Sequence, residues 1–220
     1  MTTPFQIGSA PCPCQHEDLR PRLIALTGGP GAGKTAVLEM AVRSLCNHVA
    51  ILPEAAGIVF GGGFPRLPSH SSRRAAQRAI YHVQRELEYL AIEQSSLEIA
   101  LCDRGTIDGL AYWPDTLNSY WQQLGTSLEE QLGHYSAVIH LRTPRIDQGY
   151  NRDNELRVES AAEAQAIDDR ILEAWQDHPQ RFIVESEDDF LHKAMQALQH
   201  IRLQLPNCCQ QHLRCHTSTF

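Results

Sequence analysis

Eight consecutive residues, Gly28, Gly29, Pro30, Gly31, Ala32, Gly33, Lys34 and Thr35, spell G-x-x-x-x-G-K-T. The run Leu23–Leu26 before them is apolar enough for a buried strand. After them Val37, Leu38, Ala41, Val42 and Leu45 recur at helical spacing. Strand, glycine-rich turn and helix is the context in which this pattern cradles a triphosphate. Backbone N–H groups crowd around the phosphates, and the helix N-terminus adds its positive dipole end. In this reading Lys34 reaches the β- and γ-phosphates and the Thr35 hydroxyl binds Mg²⁺.

Further strands are expected at Val49–Leu52, Ile99–Cys102, Ala137–Leu141 and Phe182–Val184. A long helix is expected over 73–96, with Ala76, Ile80, Val83, Leu87 and Leu90 as its buried stripe, and a last helix over 188–204. Capping boxes are read at Thr126/Glu129, Ser160/Glu163 and Ser186/Asp189. The alternation predicts an α/β protein, a three-layer α/β/α fold of the P-loop NTPase type with a mostly parallel five-stranded sheet. One domain spans 21–205, between an N-terminal tail (1–20) and a Cys/His-rich C-terminal tail (206–220).

In such sheets the ligand site lies beyond the carboxyl ends of the strands. Asp103 ends the third strand and is expected to share Mg²⁺ with Thr35; capping the next turn is its plainer role. Arg104 is expected to face an anionic acceptor or the transferring phosphoryl group, with a surface salt bridge as the alternative. Glu54 closes the second strand, placed to accept a proton or hydrogen bond from a hydroxyl nucleophile. The glycine-rich stretch 57–66 reads either as a loop folding over substrate, with Phe60 or Phe64 on a flat ring, or as a surface connection. Four arginines occupy 142–157, and Arg152 and Arg157 are the expected lid cations over the triphosphate.

The chain has 220 residues and a net charge of −7, which gives no basic footprint for nucleic acid. No apolar stretch reaches membrane-span length, and the N-terminus lacks signal-peptide character, so a cytoplasmic location is expected. Seven cysteines are scattered, with Cys46 and Cys102 expected as buried thiols. The terminal group of Cys208, Cys209, His212, Cys215 and His216, with Cys12, Cys14 and His16, offers soft ligands for zinc. Its spacing matches no standard ligand pairs, and a loose tail is the preferred reading.

Taken together, these motifs resemble the P-loop kinase-like AAA-domain family that includes the bacterial ribosylnicotinamide kinase domain and predicted bacterial nucleotide-binding ATPases. The resemblance rests on residues 27–35, Leu52–Ala56, Gly61–Gly63, Cys102–Tyr112, His140–Pro144, Asp168–Trp175 and His178-Pro179, and covers about 21–205. It implies a nucleotide-dependent kinase with ATP and Mg²⁺ as cofactors and Glu54, Asp103 and Arg104 near the acceptor. It also implies Asp108 and Tyr112 along the acceptor pocket, and Arg152 and Arg157 in the lid. The expected function is transfer of the ATP γ-phosphoryl group to a nucleoside- or nucleotide-like acceptor. The alternative is a nucleotide-binding regulatory switch or slow NTPase working through a protein or lipid partner. Oligomeric state is left open.

Overall fold

A computed structural model describes residues 5–14, 20–93, 96–144, 160–187, 189–207 and 209–210. The strands are β1 (Gln6–Ile7), β2 (Arg22–Thr27), β3 (Val49–Leu52), β4 (Ile99–Asp103), β5 (Tyr135–Leu141) and β6 (Arg181–Val184). The helices are α1 (Lys34–Ser44), α2 (Ala55–Gly61), α3 (His70–Ile92), α4 (Leu117–Leu124), α5 (Leu128–His134), α6 (Ala161–Ala174) and α7 (Phe190–Leu203). A 3₁₀ helix covers Thr106–Tyr112. The sheet order is β1-β3-β4-β2-β5-β6, with β2 to β6 all parallel. The sheet therefore has six strands rather than five. The extra one is β1, whose Gln6 and Ile7 pair antiparallel with Ile51 and Ala50. Two residues are too few to show a period in the sequence.

Both faces of the sheet are covered, which is why its strands read as continuous apolar runs. On one face Ile24, Leu26, Ile99, Leu101 and Ile139 pack under Val37 and Ala41 of α1 and Ala194, Leu198 and Ile201 of α7. On the other, Leu23, Ala25, Ala100, Cys102 and Val138 pack against Ile107, Tyr120, Ile171 and Trp175. Successive residues of each strand thus serve opposite layers.

Three local readings shift. The buried residues of α3 are Ala76, Gln77, Tyr81, Gln84, Glu88 and Ala91; of the predicted stripe Ala76 is buried, Ile80, Val83 and Leu87 are half-buried, and Leu90 is exposed. Gln77 and Gln84 on that face line a cavity, and Glu88 accepts hydrogen bonds from Gln84, Arg85 and Tyr135. The capping box of α5 is Ser127/Glu130, one residue later than predicted. At α7 the cap is Asp189 itself, whose carboxylate accepts from the Leu191 and His192 N–H groups. The box at Ser160/Glu163 forms as read.

Candidate functional site

Between β2 and α1 the chain makes the turn that the glycines permit. Gly28 has φ 134°, and a Cβ there would run into the Leu141 carbonyl on the neighbouring strand. Gly33 has φ 94° at the N-cap of α1, a left-handed conformation that glycine adopts without steric cost. Lys34, the first helical residue, is buried and folds back, its Nζ donating to the Gly28 and Gly29 carbonyls at 2.9 and 3.0 Å. Burial draws its ammonium down to about 8, with the Arg104 charge adding to the effect and the nearby carboxylates opposing it.

Three distant elements grip the loop from outside. Asp168 of α6 accepts the Gly29 N–H at 2.7 Å, Lys193 of α7 donates to the Ala32 carbonyl at 2.9 Å, and Thr143 Oγ1 donates to the Pro30 carbonyl at 3.2 Å. Asp168 also pairs with His140 Nε2 and Arg142, each at 3.0 Å, and accepts the Thr143 N–H at 3.2 Å. Burial alone would raise this carboxyl. Hydrogen bonds from His140 and Gly29, with the His140 and Arg142 charges, hold it below its ordinary value. Gly29 is therefore a framework position: its N–H is committed to Asp168. The N–H groups of the first turn of α1 have no helical acceptor and remain suited to an anion.

Arg104, just past β4, adopts the left-handed region with φ 74°, a strained choice for a residue with a side chain. The turn carries its guanidinium over the loop. Nε meets Glu54 Oε1 at 2.6 Å, and Nη1 meets the Gly28 carbonyl at 3.0 Å and Asp108 Oδ2 at 3.1 Å. This is a partly buried bracket between three elements, not a surface salt bridge. Glu54 stands at the N-cap of α2. Burial pushes its carboxyl up, but the Arg104 and Lys34 charges outweigh that and keep it lowered and ionised. Asp108 is enclosed: Thr27 Oγ1 donates to both its oxygens at 2.6 and 2.7 Å, and Trp175 Nε1 donates to Oδ1 at 2.7 Å. These bonds fix a carboxylate that also lines the cavity of the site.

Asp103 differs from these. Its Oδ1 is buried with no hydrogen-bond partner among the described residues. Burial pushes its carboxyl up to about 6, with Lys34 opposing and Glu54 adding to the rise. An orphaned carboxylate oxygen beside a buried lysine fits a site for a divalent cation, since burying an unpaired polar atom is otherwise costly.

Lys34, Glu54, Asp103, Arg104 and Asp108 border one cavity of about 590 Å³. At one end are Pro30, Gly31, Lys34, Thr35 and Asp103; at the other are Gln77, Ile80, Tyr81, Gln84, Tyr112 and Tyr120. Phe60 lines it and Phe64 does not; the Arg66 guanidinium carbon sits 5.1 Å from the Phe60 ring centre. Residues 55–61 are helical, so the glycine-rich stretch is less of a loop than predicted. Arg66, Arg73 and Arg170 line the cavity as cations that sequence reasoning missed. The only signal for the α3 amides was their place beside the apolar stripe. Below the cavity Tyr135 donates to Glu88, a buried carboxyl raised by burial, and accepts the Thr106 N–H at 2.8 Å. Arg152 and Arg157 lie outside the described residues.

The model of a protein family described as an AAA domain matches residues 23–192. The chain belongs to this AAA-domain family. No curated protein matches it. Among solved structures, this AAA domain resembles NadR in complex with NR, with a TM-score of 0.63 at 14% identity over 84% of this chain and 52% of that one. It also resembles NadR in complex with NAD and AMP-PNP, with a TM-score of 0.57 at 16% identity over 84% of this chain and 49% of that one. The AAA domain thus spans about half the length of these NadR chains, and at such identities the likeness is one of fold.

Proposed function

We propose that this AAA domain is a cytoplasmic small-molecule kinase that moves the γ-phosphoryl group of ATP to a hydroxyl or phosphate of a nucleoside-like acceptor. The observation that carries the reading is the shape of the cavity. It begins at Lys34, Thr35 and Asp103 and continues past Glu54 to a half lined by rings and amides. A phosphate end joined to a flat, amide-bearing end suits a triphosphate beside a nucleoside. The NadR structures, one named for its complex with NR and one for its complex with NAD and AMP-PNP, support the same ligand classes.

Each residue then has a distinct task. The first-turn N–H groups of α1 hold the β-phosphate, and Lys34 leaves the loop carbonyls to meet the β- and γ-phosphates. Thr35 and Asp103 would hold Mg²⁺, which when bound supplies neutralising charge at the phosphates. Glu54, kept ionised by Arg104, accepts a hydrogen bond from the acceptor hydroxyl and aims it. Arg104 is a positioning residue that fixes Glu54 relative to the loop. Tyr112 and Phe60 flank the acceptor half, and Arg152 and Arg157 close over the transferring group.

The test is Mg²⁺-dependent ADP release from ATP across nucleosides, nucleotides and ribosyl-pyridines. A strong rise with one acceptor class is expected. A flat panel despite tight nucleotide binding would overturn the kinase in favour of a regulatory switch.

Nucleotide affinity should also depend on pH in a defined direction. The Lys34 ammonium of the free protein loses its proton near 8, well below the ordinary 10.5, mainly through burial. Bound phosphates favour the charged form, so binding takes up a proton above that pH. Affinity measured by calorimetry should be level from about pH 7, above the range in which Asp103 titrates, up to about pH 8. It should then fall by as much as tenfold per unit as the free lysine becomes neutral.

A further inference from the structure

Far from the cavity, at the amino-terminal end of β3, four side chains from three separate stretches converge. Cys12 comes from the segment before β2, Cys46 and His48 bracket the turn between α1 and β3, and Cys209 follows α7. Their ligand atoms all lie within 4.8 Å of one another. Cys12 Sγ is 3.8 Å from Cys209 Sγ, and His48 Nδ1 is 3.8 Å from Cys46 Sγ and 3.6 Å from Cys209 Sγ. A tetrahedral zinc ion, with Zn–S of about 2.3 Å and Zn–N of about 2.0–2.1 Å, sets sulfur–sulfur separations near 3.8 Å and sulfur–nitrogen separations near 3.6 Å. The three distances sit at or close to those values.

We propose that Cys12, Cys46, His48 and Cys209 form a structural zinc site that clasps the two ends of the domain to the turn leading into β3. Three thiols and an imidazole are soft and borderline donors, which select zinc over Mg²⁺ or Ca²⁺. Four protein ligands close the coordination sphere and leave no position for water or substrate, the mark of a structural ion. Cys46, His48 and Cys209 are buried and Cys12 partly so, which shields the site from competing ligands.

The backbone around the site is organised to hold it. The Ser9 N–H donates to the Val42 carbonyl at 2.7 Å, the Ala10 N–H to Leu45 at 3.0 Å and the Asn47 N–H to Ala10 at 3.1 Å. Gly8 passes so close that a Cβ would strike the Cys46 and Leu45 carbonyls. These contacts bring Cys12 to Cys46 independently of the C-terminal segment, and Cys209 completes the set from the other end of the chain. Because β3 runs from this cluster toward Glu54, the ion lies at the opposite end of the sheet from the phosphate loop.

The test uses the full chain, purified in reductant without chelators. One zinc per chain is expected by elemental analysis, released in step with thiol modification. Cobalt substitution should give tetrahedral d–d bands and thiolate charge transfer for three sulfurs. In Cys209→Ser, zinc affinity should fall roughly 10²-fold or more, beyond the effect typical of a supporting contact. The variant His48→Cys keeps four ligands, so it should retain the metal with charge transfer raised by about one third. Cys102→Ala, in the core of β4, should bind zinc as the parent does. Substoichiometric zinc with all thiols reduced, an octahedral cobalt spectrum, or a resident Cys12–Cys209 disulfide would each overturn the proposal.

Discussion

Lys34→Met should lower nucleotide affinity and acceptor-dependent turnover by roughly 10²–10³-fold while leaving the protein as stable as before or more so. The methionine fills the space of the lysine stem without its charge. The functional loss follows from removing a buried ammonium placed to make charge-assisted contacts with the β- and γ-phosphates. The stability effect has the opposite sign. Folding draws the Lys34 ammonium from 10.5 to about 8, chiefly by burial, so at neutral pH the free protein carries a charge it would bind less tightly than the unfolded chain. That difference is on the order of 3 kcal/mol at about 1.4 kcal/mol per unit. The two hydrogen bonds to Gly28 and Gly29 partly offset its removal. Between about pH 8 and 10.5 the unfolded lysine still holds its proton while the folded one has lost it, so the parent gains stability there relative to the variant. Thermal unfolding across that range, alongside nucleotide titration, separates a missing ligand contact from a damaged fold. A variant that unfolds early, or that binds nucleotide normally, would overturn the role given to Lys34.

The largest loss of stability is expected at Asp168. Asp168→Ala removes a carboxylate that is 1% exposed and leaves the Gly29 and Thr143 N–H groups and His140 Nε2 without their acceptor. Breaking a buried ionic network by deleting one member costs about 3–5 kcal/mol. For a chain of this size that is on the order of 10 °C in Tm. Asp168→Asn keeps one acceptor oxygen and should recover part of the loss. Urea unfolding with an unchanged m value is the direct measurement. The carboxyl is held below its ordinary value in the folded state. Its contribution is therefore fully present above about pH 4 and fades as pH falls through the lowered value. Nucleotide affinity should drop as well, at temperatures where Asp168→Ala is still folded, because Asp168 anchors the loop it never shares with a ligand. If Asp168→Ala unfolds like the parent, the anchoring role is wrong.

Much of the fold was legible in the residues. Buried parallel strands need apolar faces on both sides, so Leu23–Leu26, Ile99–Cys102 and Ala137–Leu141 announce themselves as short apolar runs. Amphipathic helices repeat locally, and the Ser160/Glu163 box marks a helix start within four residues. β1 escaped because two residues carry no period. Asp168 and Lys193 were hidden for a different reason. Each is a charge on the buried face of a helix, beside Ile167 and Ala194 respectively, and only a partner from another element makes such a placement tolerable. The face of α3 misled in the same way, since Gln84 and Glu88 are buried against each other, Arg85 and Tyr135, and Gln77 lines the cavity.

By itself, the sequence determined the phosphate loop, the succession of the five parallel strands, and the strand ends where chemistry gathers, because each of these depends on residues near one another along the chain. Tertiary structure alone decided that Arg104 brackets Glu54, Gly28 and Asp108 and that Phe60 rather than Phe64 lines the cavity. It also brought Cys12, Cys46, His48 and Cys209 to one point. Those arrangements depend on distances between segments far apart in the chain, which the packing of helices on a twisted sheet sets and no local spacing encodes.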